Sequence, residues 1–307
     1  MVVVSGEALM DVFSTGVTPT GVGLDARIGG SPLNVAIGLA RLGQPVRFLG
    51  ALSRGFLGER LRAAMVAEGV DTGCVQQVDA PTTLGLVGLT EQGVPDYAFY
   101  ADGAADRRLL PEALDVVPRA DAFHFGSYAM VVEPIASTLR RLVEREHGRS
   151  LVAYDPNVRL RVEPDIGRWR EVLDWMVPRT HLLKVSEEDL GLLHPGVAHD
   201  VLAARWIAAG TALVVVTRGA QGAEAWSAAC HVRVEPVPTR LVDTVGAGDT
   251  FQAALLTALA ERGALHGPSV RALTESAMAQ VLGFAARAAA ITCSRRGADL
   301  PRRAEVG

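Results

Sequence analysis

Short apolar runs of β-type residues recur along this chain with helical patterns between them, and that alternation constrains the fold more than any other feature. The runs are Val46 to Leu49, Ala122 to Phe125, Leu151 to Tyr154, His181 to Val185 and Leu213 to Val216. Strands this short and this continuously apolar are buried on both faces. The pattern therefore predicts an α/β fold with a mostly parallel central sheet and helices on both faces. With 307 residues, 49% of them hydrophobic, the chain is long enough to bury such a core. Ser31 and Pro32 read as an N-cap followed by proline at the first helical position, and Gly43 ends that helix, which puts Asn34 in its first turn. Two segments break the rhythm, 12–28 and 83–100; in the second, Asp96 to Tyr100 lies beyond a turn at Gly93 and Pro95. Both read as hairpin-type strands. No repeat, low-complexity tract or flexible linker separates them from the rest, so one cooperative unit is expected.

Several function classes drop out on composition. The net charge is −4 and no Lys/Arg cluster is long enough for a nucleic-acid or anionic-membrane footprint. Cys74, Cys230 and Cys293 are far apart and form no CxxC, so neither a disulfide framework nor a zinc site is expected, and the compartment reads as reducing. Met1 to Val4 is too short for a signal peptide, and no run of about 18 apolar residues stands out as a membrane span. A soluble, cytoplasmic protein is the expectation. The seven histidines show no ligand spacing.

The chemistry concentrates in Asp243-Thr244-Val245-Gly246-Ala247-Gly248-Asp249-Thr250-Phe251. Val232, Val234, Val237 and Val242 upstream read as extended chain, whereas Ala253, Leu255, Leu256, Ala258 and Leu259 downstream give a helix without a breaker. The glycines thus sit at a helix entry. There Gly246 and Gly248 can turn backbone N–H groups inward, and the helix N-terminus adds partial positive charge. Asp249, in the first turn, is placed to take a proton from an attacking hydroxyl as a γ-phosphoryl group leaves its nucleotide. The plain alternative is that Asp243 or Asp249 caps the helix and the glycines make a turn.

Two rival glycine motifs fail on the same residues. A dinucleotide fingerprint needs a small residue where Phe251 stands, and a Walker A loop needs Gly-Lys-Ser/Thr, yet Lys184 is the chain's only lysine and Val185 follows it.

The run Asp243 to Phe251 resembles the C-terminal signature of the ribokinase-like (PfkB) family of carbohydrate kinases, and Gly29 to Gly43 resembles its N-terminal signature. Further matches extend from Gly6 to Pro301. Within the family, Gly6 to Asp11, Tyr97 to Tyr100, Ala105 to Arg107, His124 to Ser127 and Asp155 to Arg159 look most like the fructokinase branch. The resemblance implies one kinase domain over 1–307 with a small β lid from about 12–28 and 83–105. It also implies ATP and magnesium as cofactors, potassium near the anion loop, with Asp243 as the candidate, and a homodimer formed through the lids. Alternatives on the same fold are a 2-keto-3-deoxygluconate kinase and a nucleoside kinase. From other classes come a sugar-binding protein that has lost catalysis and, more remotely, a dehydrogenase.

Asp11, where the first strand runs out toward the lid, is the natural acceptor for sugar hydroxyls, and Gly29, Gly30 and Asn34 match the family's substrate-facing positions; Asn34 could instead make only a local first-turn hydrogen bond. Asp155-Pro156-Asn157-Val158-Arg159 emerges at a strand's C-terminal end, where open α/β sheets bind ligands. Arg159 offers a planar fork for phosphate, and the resemblance implies that Asn157 and Arg159 face the substrate. Lys184-Val185-Ser186-Glu187 stands where the family has Asn-x-x-Glu, whose Glu organises magnesium through water; Lys184 could meet phosphate as a point charge. Thr217, Gly219 and Gly222 resemble the nucleotide-side loop, which a plain hairpin turn explains nearly as well. Ala286 stands where the adenine-side helix often carries Asn. Magnesium would bridge the phosphates, Gly246, Ala247 and Gly248 would stabilise the transferring charge, and the product from fructose would be fructose 6-phosphate.

Overall fold

The computed structural model describes residues 1–89 and 95–307, so Gly93 of the expected turn lies outside the described residues. Nine strands form the large sheet: β1 (Val2–Ser5), β4 (Val46–Ser53), β5 (Asp71–Val78), β8 (Ala122–Gly126), β9 (Leu151–Asp155), β10 (Leu182–Ser186), β11 (Leu213–Thr217), β12 (Ala223–Trp226) and β13 (His231–Val234). Their order is β13-β12-β11-β10-β9-β8-β1-β4-β5. Every neighbouring pair from β5 to β11 is parallel, and only the β11–β12 and β12–β13 pairs are antiparallel. That is the sheet the apolar runs predict.

Alternation within each strand shows why both faces must be covered. Val2, Val4, Leu182, Leu213 and Val215 enter one apolar cluster, while Val3, Leu183, Val214 and Val216 enter another. The first cluster is closed by α1 (Ser31–Arg41), α2 (Phe56–Ala67), α7 (Ala247–Glu261), α8 (Gly267–Arg271), α9 (Glu275–Cys293) and α10 (Arg303–Val306). The second is closed by α3 (Ile135–Glu146), α4 (Ile166–Met176), α5 (Glu187–Leu193) and α6 (His199–Ala209). Helix α7 packs between α1 and α9. Its Ala253, Leu255, Leu256, Ala258 and Leu259 are all at most 2% exposed, the all-round apolarity of a fully buried helix. Against the expectation that no segment is apolar enough to span a bilayer, α9 is long and apolar enough by composition. It packs on α7 and β13 within the core.

The two segments that broke the α/β rhythm form a separate four-stranded sheet of β2 (Leu9–Thr18), β3 (Gly21–Gly29), β6 (Leu84–Leu89) and β7 (Pro95–Tyr100), in the order β3-β2-β6-β7. The chain crosses between the two sheets four times, at 6–8, 30, 79–83 and 101–104. Two boundaries differ from expectation. The chain leaves the large sheet at Gly6 (φ 146°), so Asp11 lies on β2 of the small sheet and not at the end of the first strand. Of the stretch from Val232 to Val242 expected to be extended, only the part within His231–Val234 is strand, and 235–246 carries no regular structure.

Candidate active site

Helix α7 begins at Gly246, which serves as its N-cap in the left-handed region at φ 78°. A side chain there would be excluded twice, by that angle and by Ala298, whose Cβ stands 2.7 Å from where a Cβ on Gly246 would be. Ala247 N donates to Thr244 O at 3.2 Å. Gly248 and Asp249 follow in the first turn, where helix geometry leaves N–H groups without an intrahelical acceptor. The capping half of the plain alternative is overturned, since neither aspartate caps α7, while Gly246 does lie in a turn. Asp243 instead staples two loops, accepting from Val245 N at 3.1 Å and Gly297 N at 2.8 Å.

Asp249 faces the start of α1. Ser31 Oγ donates to its Oδ1 at 2.6 Å and Asn34 Nδ2 donates to its Oδ2 at 2.8 Å. The expected Ser31 cap is corrected by this arrangement: Gly30 (φ 106°) takes the cap position, Ser31 is the first helical residue, and its hydroxyl is released toward the carboxylate. Asn34 likewise bonds across to α7. The two helix starts therefore hold one carboxylate between them.

On the sheet beneath, Lys184 of β10 ends 3.2 Å from where a Cβ on Gly248 would stand. The lysine is buried and donates from Nζ to Asp155 Oδ2 of β9 at 2.6 Å. Burial pushes the Asp155 carboxyl up to about 6 despite the lysine, and nearby Asp189 and Asp249 push the same way. Its other oxygen, Oδ1, is buried without a partner. Deeper in the core, burial and then Lys184 hold His124 down at about 3, so that ring is neutral at physiological pH.

Asp11 closes the side toward the small sheet. Its carboxylate occupies space that Gly29 and Gly85 leave empty: a Cβ on Gly29 would stand 2.2 Å from Oδ2 and one on Gly85 would stand 3.1 Å from Oδ1. Burial raises its pKa to about 6, with Arg159 opposing and Asp249 adding. Exposed Arg159 also bears on Glu7 and Asp189. Asn157 sits at φ 41° with Nδ2 buried and unpaired, an unspent donor beside these carboxylates in the sequence run Asp155 to Arg159.

The structure thus brings Asp11, Asn34, Asp155, Arg159, Lys184 and Asp249 to one locality. A second group stands apart from these direct contacts. Arg218 donates to Glu187 at 3.2 Å and to Glu224, joining the start of α5 to the β11–β12 hairpin that carries Thr217, Gly219 and Gly222. Arg218 N donates to Gly222 O at 2.9 Å, closing an ordinary hairpin turn. A Cβ on Gly222 would stand 2.1 Å from Val234 O, so that glycine makes room for β13. Gly219, by contrast, has nothing within 4 Å of a would-be Cβ. Ala286 is partly buried against the core.

Three participants were not legible as such in the sequence. Ser31 reads as a cap in the sequence, the Lys184–Asp155 pair joins residues 29 apart on neighbouring strands, and Gly85 carries no motif. Glycines on the two strands that flank the aspartate's own strand, Gly29 on β3 and Gly85 on β6, are the signal that could have found the last.

Among the described residues, no group of three or more His, Cys, Asp or Glu side chains could cage a metal. The locality has instead a backbone cradle, one carboxylate with oriented oxygens and one buried cation, a set that suits a phosphate ester and a hydroxyl.

Known proteins resemble this chain in sequence and in fold. Residues 1–304 match the family model described as pfkB family carbohydrate kinase. A fructokinase of Rhizobium leguminosarum bv. trifolii is 34% identical over 279 residues, covering 91% of this chain and 85% of that protein. Among solved structures, a Xylella fastidiosa fructokinase with bound ATP superposes with a TM-score of 0.89 at 24% identity, over 99% of this chain and 96% of its own. A putative ribokinase II from E. coli, in complex with ATP and Mg2+, gives 0.84 at 23% identity, over 99% and 97%.

Proposed function

This chain belongs to the pfkB family of carbohydrate kinases, and on that premise we propose that it transfers the γ-phosphoryl group of ATP to a hydroxyl of D-fructose. The observation that carries the reading is Asp249, held by Ser31 and Asn34 beside the N-terminal amides of α7 and the Lys184 ammonium. Fructose is favoured by the name of the Rhizobium relative and by the branch motifs at Gly6 to Asp11 and Asp155 to Arg159.

In this reading the sugar lies between Asp11 and Asp249. Asp11 accepts hydrogen bonds from sugar hydroxyls, with Gly29 and Gly85 leaving the room its carboxylate needs. Gly30 and Asn34 hold the near edge, and Asn157 offers its free amide. Asp249 takes the proton of the attacking hydroxyl, a contribution worth roughly 10²- to 10⁴-fold. The amides around Gly246, Ala247 and Gly248 receive the charge that develops on the transferred group, while Arg159 and Lys184 neutralise its oxygens. Lys184 can turn from Asp155 toward the cradle because the two sites are adjacent.

Magnesium fits as an ion that arrives with the nucleotide, since Mg²⁺ is usually held by substrate phosphates plus one or two carboxylates. It would supply charge neutralisation at the phosphates, with Glu187 reaching it through water. Thr217 and Gly219 border the nucleotide. A monovalent cation beside Asp243, a homodimer and a cytoplasmic location belong to the same proposal; replacing potassium by sodium in the assay tests the first.

The deciding experiment is ADP release from MgATP with fructose, ribose, 2-keto-3-deoxygluconate, adenosine and no acceptor. Turnover with fructose alone is expected, and hydrolysis without acceptor should be slow because sugar binding excludes water. Activity with another acceptor only would keep the mechanism and remove fructose. Asp249→Asn separates an enzyme from a binding protein: turnover should vanish while calorimetric sugar binding persists.

A further inference from the structure

We infer that Asp106 is a positioning residue whose carboxylate ties the stem of the small sheet to the core and so sets where Asp11 stands. The inference rests on the sugar-kinase reading above.

Asp106 is 2% exposed and lies in a 3₁₀ turn, Ala105–Arg107, directly after the fourth crossing between the sheets. Its two oxygens reach in different directions. Oδ1 accepts from Thr83 Oγ1, at the end of the third crossing, and Oδ2 accepts from Tyr128 OH at 2.8 Å. Tyr128 belongs to the core, in the 3₁₀ turn Ser127–Met130 that follows β8, and is 2% exposed. A backbone bond doubles the link between crossings, Ala105 N donating to Pro81 O at 2.8 Å.

From Thr83 the connection runs on to the sugar side. Thr83 O accepts from Met10 N at 3.1 Å, and Met10 pairs with Leu84 while Asp11 pairs with Gly85. A hydrogen-bonded route therefore passes from Tyr128 through Asp106 and Thr83 to the residue before Asp11. Asp11 has little freedom of its own, because Gly29 and Gly85 admit its carboxylate only in the slot their missing side chains leave. A shift of the stem would move the slot and the carboxylate together. At the first crossing, buried Glu7 lies within electrostatic reach of Asp106 and of Ser127, the neighbour of Tyr128.

Both donors are hydroxyls, and a carboxylate is the side chain that accepts from two at once without presenting a donor back. Buried groups that lose such a partner bear the full desolvation penalty, so the tie should be all or none.

The test uses the full chain with Asp106→Asn and Thr83→Val, the second removing one hydroxyl at nearly constant volume and serving alone if the first does not fold. Hydrogen–deuterium exchange without ligand should speed up about tenfold in β2, β3 and β6, with β8 to β11 unchanged. The KM for fructose should rise about tenfold, while kcat and the KM for MgATP stay within about twofold. A merely structural role would lower the active fraction and leave the sugar KM where it was, which would overturn the inference. Unchanged exchange in the small sheet of Thr83→Val would overturn it whatever the substrate. A wild type inert toward fructose would remove the substrate reading and leave the exchange result standing.

Discussion

Ser31 Oγ stands 2.6 Å from Asp249 Oδ1, a side-chain bond between the first turns of two helices 218 residues apart in sequence. It orients the proposed base from the start of α1.

Removing it should therefore slow the chemistry more than it weakens binding. In Ser31→Ala, kcat should fall about tenfold, equivalent to roughly 1.4 kcal/mol of transition-state stabilisation, with the fructose KM within about twofold. Steady-state kinetics at saturating MgATP measure this. An unchanged kcat would show that Asn34 alone suffices to orient the base.

Gly29 makes a sharper case for binding. A methyl group there would stand 2.2 Å from Asp11 Oδ2, so Gly29→Ala must push the carboxylate out of its slot. The sugar KM should rise at least about tenfold with the nucleotide KM unmoved. Gly148→Ala is the control, since nothing lies within 4 Å of a Cβ at that position. Equal kinetics in the two variants would remove Asp11 from the sugar site.

The Lys184–Asp155 pair should reveal itself in stability. Both side chains are at most 5% exposed, so removing one leaves a buried charge uncompensated. Such a loss typically amounts to about 3–5 kcal/mol, and Asp155→Ala should lower the urea unfolding free energy by that order. Lys184→Met combined with Asp155→Leu should recover most of it while remaining poorly active. A single variant as stable as the wild type would mean that solvent reaches the pair.

Glu7 predicts a pH dependence with a defined sign. Burial raises its carboxyl from an ordinary 4.5 to about 8, with the Ser127 hydrogen bond opposing. The folded protein keeps a proton that the unfolded chain releases, so stability is highest at low pH and falls as pH rises toward 8. Asp11 and Asp155, at about 6, act in the same direction but lower down, and His124, at about 3, acts in the opposite sense below its ordinary 6.5. From about pH 6.5 to 8 Glu7 is the dominant contributor among these four, with a slope of up to about 1.4 kcal/mol per unit. Glu7→Gln preserves the neutral shape and should flatten that slope in chemical denaturation; an unchanged slope would place the titration elsewhere.

The parallel sheet and the α7 cradle were readable because each depends on local pattern: apolar runs of strand length, and glycines spaced ahead of an unbroken apolar helix. The role of Ser31 is hidden for a local reason too. A serine before proline suits a cap as well as a first helical residue, and only the backbone of Gly30 at φ 106° decides between them. Asp11 moved to the small sheet because the chain turns away at Gly6, an angle no apolar pattern announces. Meetings such as Lys184 with Asp155, or Asp106 with Thr83 and Tyr128, arise from strand order and crossings, which residue spacing does not encode.

Because the chain enters and leaves the small sheet twice, that sheet is not a cassette. No single excision removes it, and a chimera that borrows a relative's small sheet must exchange two stretches, about 6–30 and 79–106, in one step. Transplanting either alone would mate foreign strands across the β2–β6 seam, where Asp11 and Gly85 stand in register. If the small sheet sets acceptor preference, as proposed, that preference is inherited as a matched pair of segments, and a substitution in one of them constrains what the other can tolerate.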